Sequence, residues 1–123
     1  MAYPAPAANT LNLPTDIDVV TISGHFRDGD GGFANGWFDI DNGSTVLRHT
    51  STKEIITPIK IRVEIKDGTF SVTVPATDSP VLSGPADWTY HIRVALDGKQ
   101  FAVADVPLPL ASASVDVFDL ITV

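Results

Sequence analysis

The 123-residue chain contains no cysteine, which excludes disulfides and thiolate metal sites and leaves the redox compartment open. Basic residues are scarce: eight Lys and Arg stand against 15 Asp and Glu, for a net charge of −7. None of the basic residues lies before Arg27 or after Lys99. A nucleic-acid binder needs a clustered basic footprint, so nucleic acid is not an expected partner. No apolar run approaches the ~20 residues of a membrane-spanning helix, and no membrane insertion is expected. The opening MAYPAPAANT has neither the basic nor the apolar region of a secretory leader, so no export signal is expected.

Chemical motifs are missing as well. There is no phosphate-cradling G-x-x-x-x-G-K-[ST], no nucleophile elbow G-x-S-x-G, and no H-x-H or H-x-x-x-H pair for zinc. His25, His49 and His91 read as separate surface histidines, with His49 in an exposed loop over 49–53. Asp28, Asp30, Asp39 and Asp41 offer hard oxygens, but Asp-Gly is common turn chemistry and the closing Glu of a calcium loop is absent. The expectation is therefore a protein with no enzymatic activity, no cofactor and no metal.

What is present is alternation. Ile59, Ile61, Val63 and Ile65 point one way and Lys60, Arg62, Glu64 and Lys66 the other, the period of a half-buried strand. Asp67-Gly68 follows as a two-residue turn signal. Phe70, Val72 and Val74 then alternate with Thr69, Ser71 and Thr73, so a hairpin is expected that sets Ile65 opposite Phe70 and Val63 opposite Val72. A second hairpin is expected around Asp97-Gly98, with Val94 opposite Phe101 and Ile92 opposite Val103. Ile17–Phe26 reads as the first strand, with Val20, Ile22, Gly24 and Phe26 on one face. Phe33–Ile40 reads as the second, with Phe38 and Ile40 inward and Gly36 allowing close backbone approach. Thr45–Arg48 is a short strand candidate, and Ala76–Pro85 a loop long enough to cross between sheets. About seven strands at this spacing predict an all-β fold, a two-sheet antiparallel β-sandwich.

The ends differ from the middle. Residues 1–16 hold three prolines and no side-chain charge before Asp16, which predicts an extended N-terminal arm, frayed or ordered on a neighbouring subunit. Residues 17–110 form the expected sandwich domain, and 111–123 an apolar C-terminal segment that reads as a last strand or, preferentially, a turn around Val117–Leu120. Burial of Tyr3, Leu11, Leu13, Phe118 and Leu120 on a partner at ~25 cal/mol per Å² adds several kcal/mol. Trp37, out of phase with Phe38 and Ile40, is the candidate surface ligand contact, and Trp88 and Tyr90 are further aromatics able to stack on a sugar ring.

Residues 22–40, ISGHFRDGDGGFANGWFDI, carry Gly24-x-Phe26, the Asp28–Gly32 turn and Gly36-x-Phe38-x-Ile40. Together with DGTFSVTVPATDSP (67–80), DWTYHIRV (87–94) and the closing VPLPLASASVDVFDLITV, this resembles the immunoglobulin-like or prealbumin-like β-sandwich module of bacteriophage virion proteins. Those are capsid-decorating, minor tail and fibre proteins of actinobacterial phages. The chain departs from them at Gly32-Phe33-Ala34, where many relatives have Gly-x-Pro. The resemblance implies a non-enzymatic virion structural protein, assembled in the host cytoplasm; the composition of the arm and of the apolar C-terminal segment adds the expectation that it attaches to the particle surface through its termini and a sandwich face. Implied partners are capsid or tail proteins of the same virion, together with self-association. The alternative is a carbohydrate-binding or host-surface adhesion module that uses exposed aromatics to hold a cell-surface glycan.

Overall fold

The computed structural model describes residues 8–10, 16–97, 99–109 and 113–121. Among them eleven strands run in chain order: β1 (Ala8–Thr10), β2 (Val19–His25), β3 (Gly36–Asp41), β4 (Leu47–His49), β5 (Glu54–Ile56), β6 (Lys60–Ile65), β7 (Thr69–Pro75), β8 (Leu82–Ser83), β9 (Tyr90–Leu96), β10 (Lys99–Val106) and β11 (Ser114–Asp116). A 3-10 helix, Val117–Asp119, follows β11. The protein is all-β. The strands beyond the expected seven are mostly pieces of two or three residues, too short to leave a period in the sequence.

Asp67 and Gly68 both take positive φ, 52° and 78°, the backbone of a tight two-residue turn. Lys66 and Thr69 bridge across it, as expected. The strands then part company, and the expected hairpin is corrected: β6 pairs with β3, while β7 pairs with β2. The physical reason is that alternation reports only which side chains are apolar. Two strands facing each other across a core bury the same residues as two strands lying side by side, so the pattern alone cannot separate the cases.

Three sheets result, with orders β1-β7-β2-β11, β10-β9-β3-β6 and β5-β4-β8. The two four-stranded sheets share one core. Val20, Ile22, Phe70, Val72 and Val74 come from the first sheet and Phe38, Ile40, Val63, Ile65, Ile92 and Val94 from the second. Phe38 and Phe70 stack across the gap with ring centroids 4.3 Å apart. The segment after β7 crosses from the first sheet to the second, passing through β8.

Two glycines make this packing possible. A Cβ on Gly36 would sit 1.9 Å from the Ala95 carbonyl oxygen, so β3 and β9 approach as closely as they do only because that atom is missing. On Gly24 it would meet Val117 at 2.6 Å and Phe70 at 2.7 Å.

Two further expectations are corrected. The hairpin β9–β10 forms, but a bulge between Gln100 and Ala102 shifts its register, so Ala102 lies opposite Val94 and Ala104 opposite Ile92. A bulge inserts one residue and moves everything beyond it, and here it turns Val103 outward. The sheets are also not wholly antiparallel: β1 runs parallel to β7, and β11 parallel to β2. Segments near the two chain ends thus form both edges of the first sheet, and residues 8–10 lie on their own chain's β7.

Candidate functional site

Strand β3 alternates Trp37, Asp39 and Asp41 outward with Phe38 and Ile40 inward, and its neighbours β6 and β9 set cations beside the acids. Arg62 grips Asp39 in a fork, with Nε to Oδ1 at 2.8 Å and Nη2 to Oδ2 at 3.0 Å. The Asp39 carboxylate beside it raises the Arg62 guanidinium above its ordinary pKa. The same guanidinium lies 5.5 Å from the Trp37 ring centroid, a cation–π distance. Trp37 is 43% exposed, and Arg62 occupies part of the surface that a sugar would need. Arg93 reaches Asp41 at 3.8 Å, and its Nε is buried with no partner. The face is a self-paired charge ladder with one indole at its end.

A second surface is built by the last described residues. Asp116 caps the 3-10 helix, its carboxylate accepting the Phe118 N–H at 2.9 Å. Val117 turns into the core against Gly24, which leaves Phe118 pointing out at 82% exposure. The turn expected around Val117–Leu120 is present. Leu120, expected as a docking residue, is instead partly buried against its own core. Tyr3, Leu11 and Leu13 lie outside the described residues. Among the candidate docking side chains, Phe118 is the one that the structure describes as openly presented.

Comparison with protein-family models, with curated proteins and with solved structures finds no match.

Two residues weighed for surface roles are interior. Tyr90 is fully buried, and its hydroxyl donates to the Pro75 carbonyl oxygen at 2.7 Å. Desolvation pushes its phenol far above the ordinary value. Tyr90 is a core residue and offers nothing to a glycan. His49, expected in an exposed loop, is 1% exposed. Its Nδ1 accepts the Thr52 backbone N–H at 3.1 Å and lies 2.8 Å from Thr52 Oγ1. A backbone amide can only donate, so the ring proton sits on Nε2 and is donated to Asp16 Oδ1 at 2.8 Å. Hydroxyl, imidazole and carboxylate stand in line as they do in hydrolytic triads. Here the nitrogen facing the hydroxyl also closes its own loop, so the arrangement braces the β4–β5 connection and ties it to the chain entering β2. The missed signal was period two: Leu47 and His49 share a phase, so a buried Leu47 predicts a buried His49.

The Asp28 carboxylate is spent locally. Its Oδ1 accepts the N–H groups of Asp30 at 2.9 Å and Gly32 at 3.1 Å, which fixes the turn.

Proposed function

We propose that the protein is a non-enzymatic structural subunit of a bacteriophage particle, an immunoglobulin-like two-sheet module that attaches to capsid or tail proteins of the same virion. The observation that carries this reading is Phe118. A large aromatic held out on a capped turn costs solvation and contributes nothing to its own fold, which is the behaviour of an anchor awaiting a partner. The sequence resemblance over residues 22–40, 67–80, 87–94 and 106–123 supports the phage assignment, and two four-stranded sheets around one core support the sandwich. Occupancy is then set by a modest apolar contact repeated by the symmetry of the particle.

Mass spectrometry of purified particles tests the reading. The wild-type chain is expected in stoichiometric amounts, and Phe118→Ser is expected to fold normally while its occupancy drops several-fold. Particles that lack the wild-type chain, or that carry Phe118→Ser undiminished, overturn it.

A further inference from the structure

A pocket of about 380 Å³ opens at one end of the second sheet, between the β3–β4 turn and the segment leading into β9. Three features bear on its chemistry. Trp88 forms one wall and is braced from behind by Tyr90 in an edge-to-face contact, with centroids 5.0 Å apart and planes 67° apart. That support holds the indole in place before anything binds. The Asp87 and Asp105 carboxylates line the pocket, and His91 is oriented by its Nδ1–H donating to Asp105 Oδ1 at 2.6 Å, which leaves Nε2 as the ring's remaining hydrogen-bonding atom. Asn42 also lines the pocket. Its Oδ1 accepts the Ile59 N–H at 2.8 Å, and its Nδ2 is buried with no partner. A buried amide donor left unsatisfied is costly.

We infer that this pocket is a binding site for a neutral sugar, a single pyranose residue or the end of a glycan, held on Trp88. Lining residues among those described include no Lys or Arg, and two carboxylates are present, so an anionic ligand such as a phosphate or uronic acid meets repulsion. An organic cation would suit the acids and the indole but offers no acceptor to the Ser44, Thr45 and Thr89 hydroxyls in the same lining, whereas a sugar hydroxyl both donates and accepts. Sugar hydroxyls donate to Asp87 and Asp105 and exchange hydrogen bonds with the Ser44 and Thr45 hydroxyls, while the C–H face of the ring covers the indole. That combination of one aromatic wall with a few convergent polar groups is how compact ligand sites are built. The inference is independent of the assembly reading, which uses a different surface.

The test is an NMR titration of the ¹⁵N-labelled full chain with glucose, galactose, mannose and N-acetylglucosamine, each at millimolar concentration, with tetramethylammonium in parallel. The expected result is a saturable shift of the Trp88 indole N–H and of amides in 42–45 and 87–91 with at least one sugar. Affinity is expected to weaken at least tenfold in Asp105→Asn and to stay unchanged in Trp37→Ala. Asp105 is exposed, so its substitution leaves the fold intact even if Trp88→Ala does not fold. The inference is overturned if no sugar shifts these resonances, if the shifts centre on Trp37, or if tetramethylammonium binds and the sugars do not.

Discussion

The Tyr90 hydroxyl donates to the carbonyl oxygen of Pro75, and this buried 2.7 Å bond joins the start of β9 in one four-stranded sheet to the end of β7 in the other. The bond is buried, so it does for orientation what apolar packing does for burial. It also explains why an aromatic with a polar tip is tolerated at full burial.

Tyr90→Phe keeps the ring and removes the donor. The expected loss is about 1–2 kcal/mol, the cost of leaving a buried carbonyl unpaired. Urea unfolding measures it. A midpoint equal to that of the wild type would mean that the carbonyl is otherwise satisfied.

Gly36→Ala tests the close approach of β3 to β9. The new Cβ would fall 1.9 Å from the Ala95 carbonyl oxygen, a backbone atom that cannot swing away. A loss of about 3 kcal/mol or a failure to fold is expected. Thermal melting within a degree or two of the wild type would show that the strands can separate without penalty.

Acid stability depends on Asp16. The hydrogen bond from His49 is the largest cause holding its carboxyl below the ordinary value of 3.8, with the electrostatic attraction of the same ring and a hydrogen bond from Ser51 assisting against desolvation. The folded-state value is depressed, so the contribution is fully present above the unfolded-state value near 3.8 and is lost as pH falls through the lower folded-state value. Melting curves of wild type and Asp16→Asn should therefore differ most above about pH 4 and converge below it. A gap that does not change with pH would remove the linkage.

Phe118→Ser should change unfolding free energy by no more than about 0.5 kcal/mol, because the side chain contacts water rather than core. Val117→Ser, one residue earlier, should cost ~2 kcal/mol or more, since Val117 is buried against Gly24. Equal effects at the two positions would mean that Phe118 is covered within its own chain.

Much of the secondary structure was legible in the residues. The shared face of Val20, Ile22 and Gly24, the inward pair Phe38 and Ile40, the turn at Asp67-Gly68 and the final turn near Val117 all follow from period two and local turn chemistry. The candidate surfaces were legible only in part. Trp37 stood out as an apolar residue off the core phase and Phe118 as part of an apolar terminal segment, but nothing local marks His49 as the partner of Asp16, 33 positions away. Trp88 and Asn42 likewise meet at one pocket only because β3 and β9 are neighbours.

The alternation of Ile, Val and Phe with polar residues determined by itself that the chain is β and which side chains turn inward, because that choice depends on each residue's own solubility and on a fixed backbone period. Which strand lies beside which was decided only in three dimensions. The ladder between β6 and β3 spans sequence-distant residues, and it wins over the local hairpin because separate sheets close one core from both sides. The outward faces follow from that decision: Arg62 meets Trp37, and Trp88 meets Asn42, through pairings that no local pattern encodes.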